Sequence, residues 1–75
     1  MNKEDLVVLY EDNHIIVVLK PQNVPCCPDD SKDMDLLTVI KDYVKEKENK
    51  PGNVYIGLVH RLDRDTSGIV LFAKN

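Results

Sequence analysis

No apolar run in the sequence reaches 18 residues, which excludes a membrane-spanning helix. The first apolar run, Leu6 to Leu9, follows Lys3, Glu4 and Asp5 and is too short to form the apolar centre of a secretory signal. A cytoplasmic location is therefore expected. Cysteine is scarce: Cys26 and Cys27 are adjacent and have no others to pair with, which rules out a disulfide framework or a four-cysteine metal site and predicts free thiols. Positive charge is not in excess either, with 10 Lys and Arg against 13 Asp and Glu and a net charge of -3. That balance weighs against a generic nucleic-acid binder, whose attraction to phosphate leaves a basic footprint. Repeats and low-complexity tracts are absent. Chain is in short supply too, because 75 residues bury only about 60 to 65% of their unfolded surface and the entropy of ordering nearly cancels the gain.

What is present is a clear alternation of apolar runs and breakers. Leu6 to Tyr10 and Ile15 to Leu19 are β-prone, and Glu11, Asp12, Asn13 and His14 between them favour a turn, so an antiparallel pair is predicted. Both strands are apolar through most of their length, which predicts a sheet covered on more than one face. Pro21, Pro25 and Pro28 then forbid regular structure and make 20–32 a shaped loop. An amphipathic helix follows, capped by Asp33 or Asp35, with Leu36, Leu37, Ile40, Tyr43, Val44 and Lys47 on one side and Lys41, Asp42, Lys45, Glu46 and Glu48 in water. Residues 49–53, Asn-Lys-Pro-Gly-Asn, are a stop and turn. Residues 54–59 read as extended, and Ile69 to Ala73 as a last strand. The predicted fold class is α+β, a mixed or antiparallel sheet with one packed helix. A strongly apolar strand two residues from the chain's end needs neighbours, so residues 1–75 are expected to be the first part of a larger domain; a complete miniature α+β protein is the alternative.

The densest polar cluster is His60-Arg61-Leu62-Asp63-Arg64-Asp65-Thr66-Ser67-Gly68, seven polar or ionisable side chains in nine residues between two apolar stretches. A solvated surface loop has such a composition. So does a site: a carboxylate to act as nucleophile or base, guanidinium groups for phosphate, hydroxyls for orientation, and Gly68 for an unusual φ before the strand. Asp63-Arg64-Asp65-Thr66 also matches D-x-D-x-T, the pattern of haloacid dehalogenase-like magnesium-dependent phosphatases. In those enzymes a buried strand delivers the attacking carboxylate. Here His60 and Arg61 interrupt that strand.

A longer match comes from His60-Arg61-Leu62-Asp63, Thr66-Ser67-Gly68 and the apolar run to Lys74, together with Tyr10-Glu11-Asp12, Val17-Val18 and Lys20-Pro21. From Leu6 to Asn75 the chain resembles the N-terminal part of the catalytic domain of the RluA family of RNA pseudouridine synthases. The resemblance implies isomerisation of uridine to pseudouridine in structured RNA, ribosomal or transfer, with no cofactor, no catalytic metal, no membrane and no obligate protein partner. Asp63 matches the family's catalytic aspartate, acting at the glycosidic bond, where a carboxylate stabilises or traps developing positive charge. Arg61 or Arg64 would favour its charged form. Arg61 matches the arginine that takes the place of the flipped base. His60 and Arg64 are expected to contact RNA or support the loop, and Thr66, Ser67 and Gly68 to shape it. The tyrosine and basic residue that complete the family's site are not among Tyr10, Tyr43 and Tyr55 and their neighbours; no separate RNA-binding domain is visible, and the 75 residues alone are expected to be inactive. A noncatalytic RNA-binding or structural module remains the other class of function, explaining the arginines but not Asp63 and Asp65 beside them.

Overall fold

The computed structural model describes residues 1–49, 52 and 54–75. After a short 3-10 turn at Lys3–Asp5 come strand β1 (Val7–Glu11), β2 (Ile15–Lys20), helix α1 (Leu36–Glu48), β3 (Gly57–Leu58) and β4 (Gly68–Ala73). All pairings are antiparallel and the sheet order is β1-β2-β4-β3. The α+β expectation is met, with the sheet antiparallel rather than mixed.

The register puts one side chain in two against the helix. In β2, Ile16, Val18 and Lys20 are buried, and their partners across β4 are Phe72, Val70 and Gly68. Leu36, Ile40 and Val44 of α1 close the core over that face, with Val24, Cys26 and Ile56 at its margins. Burying each of the valine, leucine, isoleucine and phenylalanine side chains among these stabilises the fold by about 1.5–3 kcal/mol. Two details of the predicted helix face change. Val39 is buried at 1% exposure, whereas Lys47 turns outward and reaches Glu11. The opposite sheet face carries Val7, Tyr10, Leu19 and Ile69, all more than 40% exposed. The expectation of cover on more than one face is therefore not met among the described residues, because the one helix they form lies on one side.

The helix starts where it does because its first amides have ready acceptors. Leu36 and Leu37 donate to the carbonyls of Pro25 and Cys26 at 2.8 and 2.9 Å, and the Asp35 carboxylate accepts from the Thr38 amide at 2.9 Å. These are the orphan donors of a helix N-terminus. Asp35, not Asp33, is thus the cap. Asn49 ends the helix in the left-handed region at φ 52°. Lys50, Pro51 and Asn53 of the predicted turn lie outside the described residues.

The Tyr10-Glu11-Asp12 run builds the hairpin. Asp12 Oδ1 accepts from the amides of His14 and Ile15 at 2.7 and 2.9 Å, and Oδ2 from the Tyr10 hydroxyl at 2.8 Å. These bonds, the His14 amide foremost, hold its pKa down at about 2. A depressed carboxyl pKa contributes stability that is present above the unfolded value, near pH 4, and lost as pH falls through about 2. The Asp12 carboxyl resonance should accordingly titrate near pH 2 by NMR, and Asp12→Ala should flatten the fall of stability with acid between pH 4 and 2. A midpoint near 4 would sink this account. Glu11 serves the other end of the hairpin: it accepts from Lys47 and from Lys74, both at 2.7 Å. Burial alone would raise its pKa, but the two ammonium groups outweigh that and lower it. Through Glu11 the ends of β1, β4 and α1 are tied together.

Candidate active site

Residues 59–67 form no strand, so the polar cluster is a loop delivering chain into β4. This removes the D-x-D-x-T reading, which requires the first aspartate at the end of a buried strand. The loop is irregular but not loose. Its main chain is bonded at Leu62, Asp63, Arg64 and Thr66, and most of the partners come from residues far away in sequence.

Lys20 provides the chief anchor. It is the last residue of β2, in phase with Ile16 and Val18, and is fully buried. Its ammonium donates to the carbonyls of Pro21, Arg64 and Thr66 at 3.0, 2.9 and 2.6 Å. All three ammonium protons are thereby used. The Arg64 carbonyl also accepts from the Asn23 amide at 2.8 Å. One step earlier, the buried Cys26 thiol faces the main chain of Leu62, donating to its carbonyl at 3.4 Å and accepting from its amide at 3.3 Å. Cys26 and Cys27 are both free thiols, as expected. Asp63 opens a turn closed by the Thr66 amide on its carbonyl at 3.0 Å.

The side chains divide into bonded and free. His60 Nε2 accepts from the Leu71 amide of β4 at 3.1 Å, a place just past the short β3 ladder, and so supports the sheet edge. That bond requires a neutral ring with its proton on Nδ1. Arg64 is paired away from Asp63: Nη1 donates to Ser31 Oγ at 2.9 Å and lies 3.6 Å from Asp29, and Nη2 meets the Asp33 carboxylate. The Asp33 hydrogen bond leads the contacts that raise the Arg64 pKa further. Thr66 and Ser67 shape the loop through the Thr66 main chain only; among the described residues neither hydroxyl has a hydrogen-bond partner. Asp63 and Arg61 are exposed, and neither side chain has a hydrogen bond or ion pair among the described residues. The same holds for Asp65.

Gly68 joins the loop to β4 at φ +156°, and a Cβ there would sit 3.1 Å from Leu62 Cδ1. Gly68→Ala should therefore destabilise the full-length protein by about 1 kcal/mol or more, read as a lower urea midpoint. An unchanged midpoint would mean that neither the positive φ nor the Leu62 contact carries a penalty.

Residues 14–75 match the model of the family described as RNA pseudouridylate synthase. The chain belongs to that family. An uncharacterized RNA pseudouridine synthase of Mycoplasma genitalium is 40% identical over 96% of this chain and 23% of its own. Ribosomal large subunit pseudouridine synthase D of Borreliella burgdorferi is 38% identical over 93% of this chain and 22% of its own. The human RNA pseudouridylate synthase domain containing 4 superposes with a TM-score of 0.73 over 92% of this chain, at 23% identity, and shares the fold. The chain thus spans less than a quarter of the length of these synthases.

Within this pseudouridine synthase segment, periodicity had a signal for Lys20 that composition obscured. A lysine at the third inward position of an alternating strand must either bury its charge or break the face, and here it is buried on three carbonyls. Cys26, Ser31 and Asp33 carry no comparable signal, because each meets the loop more than 30 residues away.

Proposed function

We propose that the protein isomerises uridine to pseudouridine in structured RNA, with the Asp63 carboxylate acting at the glycosidic bond. The N1–C1′ bond breaks, the uracil turns, and a C5–C1′ bond forms; N1 gains a proton and C5 loses one, so no oxidant or reductant enters. The observation that carries this reading is the exposed, unpartnered Asp63 carboxylate on a turn whose main chain is held at Leu62, Arg64 and Thr66, in a pseudouridine synthase chain. A side chain with no structural partner, on a main chain that is held, suits chemistry on a ligand.

Arg61, equally free and exposed, is the residue to occupy the space left by a flipped base and to meet its phosphates. His60 and Arg64 support the loop. The large-subunit names of relatives favour ribosomal over transfer RNA as the substrate and, with that, a cytoplasmic site of action. Residues 1–75 act as one piece of a catalytic domain rather than as an RNA-binding module of their own. The test is release of tritium from C5 of an unmodified, C5-tritiated large-subunit ribosomal RNA transcript by the full-length protein. Failure to release it, while a transfer RNA transcript does, would redirect the substrate; failure with both would end the enzyme reading.

A further inference from the structure

Arg64 was open to two roles, and its surroundings choose between them. A cation free to meet RNA phosphate should stand clear of acidic groups, as Arg61 does. Arg64 instead lies between Asp29 and Asp33 with Ser31 at its Nη1, so the group as a whole is net negative and repels phosphate. Ser31 in turn is held by Asp29, through a bond from its amide at 3.0 Å and another from its hydroxyl. Asp29 has its pKa lowered, first by Ser31 and then by Arg64. The loop is therefore prearranged around the guanidinium. At its other end, the Arg64 carbonyl takes both the Lys20 ammonium and the Asn23 amide. One residue away on the chain stands Asp63.

We propose that the acidic 29–33 loop, acting through Arg64, is a positioning element for Asp63, and that Asp33, Asp29 and Ser31 tune turnover without touching RNA. This rests on the reading of Asp63 as the catalytic carboxylate. A single exposed ion pair is a weak restraint. The demand here is small, however: a displacement of about 1 Å at a reacting group can lower turnover by about 100-fold. Two carboxylates and a hydroxyl on one planar guanidinium fix its direction as well as its place.

The test is charge reversal in the full-length protein, with tritium release from the C5-tritiated large-subunit transcript measured below the melting temperature of every variant. Arg64→Ala should lower kcat by about 10- to 100-fold and leave KM within about twofold, the mark of a misplaced group rather than a lost RNA contact. Arg64→Glu and Asp33→Arg should each lower kcat similarly, and the double variant should recover at least about threefold over Arg64→Glu alone, since the Asp33 pair is rebuilt with its signs exchanged while the Asp29 carboxylate still faces position 64. A rise in KM at constant kcat for Arg64→Ala would make Arg64 an RNA contact and overturn the proposal. So would a double variant no better than Arg64→Glu alone. Asp63→Asn separates this from the reading beneath it. If the parent is active and Asp63→Asn is not, a missing rescue condemns only the clamp; if Asp63→Asn matches the parent, the catalytic assignment fails and the clamp with it.

Discussion

Asp63→Asn in the full-length protein is expected to reduce pseudouridine formation by about 1000-fold or more, at the high end of what a positioned acid or base contributes, while RNA affinity changes by less than about threefold. The structure makes this substitution unusually clean. The Asp63 side chain is exposed and has no partner among the described residues, and the Thr66 amide bonds to its carbonyl, which asparagine retains. Stability should therefore shift by no more than about 0.5 kcal/mol, as for surface positions without special contacts. Asparagine keeps the size and loses the charge. A carboxylate can trap or stabilise positive charge at C1′, whereas an amide can do neither. Retained affinity follows from Arg61, which lies two residues upstream and is untouched. The measurement is single-turnover tritium release with saturating enzyme, beside a filter-binding titration and a thermal melt. Wild-type turnover by Asp63→Asn would remove the catalytic role. Loss of turnover accompanied by a large fall in melting temperature would instead give Asp63 a structural task that the bonding pattern denies.

The free side chains of the site were easier to read than its framework. Arg61 and Asp63 stand with His60 and Gly68 in one stretch of nine residues, so a motif exposes them at once. The helix and the three longer strands were legible for a similar reason, since period and breakers are local properties. The framework is not local. Lys20 bonds across 44 and 46 residues, Cys26 across 36, and Arg64 across 31 and 33. Nothing in a window of sequence distinguishes the Asp33 that pairs with Arg64 from the Asp35 that caps the helix, since both are aspartates before an apolar run. Tertiary approach decides it: Pro25 and Cys26 offer carbonyls to Leu36 and Leu37, which fixes the helix start and leaves Asp33 outside it. β3 is shorter than the apolar stretch 54–59 suggests for another such reason. Its ladder stops at Leu58, and the His60 ring takes the Leu71 amide just beyond.

Lys20→Met should have the second large effect, on stability and on turnover together. Methionine matches the lysine stem in length and apolar character, so the core face beside Val18 stays filled, and what disappears is the ammonium. Two opposing quantities then decide the sign. Burying an ammonium costs several kcal/mol, and relief from that burial favours methionine. Against it stand three charge-assisted bonds worth about 1.5–3 kcal/mol each, and carbonyls that lose their donor inside the protein. The Arg64 carbonyl keeps the Asn23 amide, but no second donor among the described residues reaches the carbonyls of Pro21 or Thr66. With all three ammonium protons well placed in the parent, the lost bonds and stranded carbonyls outweigh the relief. We expect a net loss of about 2–4 kcal/mol, visible as a lower urea midpoint. Turnover should fall by about 100-fold at temperatures where the variant is still folded, because the 63–66 turn loses the group that holds two of its carbonyls. Lys20→Arg should not rescue it, since a planar guanidinium cannot aim three protons at the carbonyls a compact ammonium joins. A variant as stable as the parent or more so would show that burial of the charge dominates. A stable variant with full turnover would show, further, that the Asp63 loop holds its shape from Cys26, Asn23 and Arg64 alone.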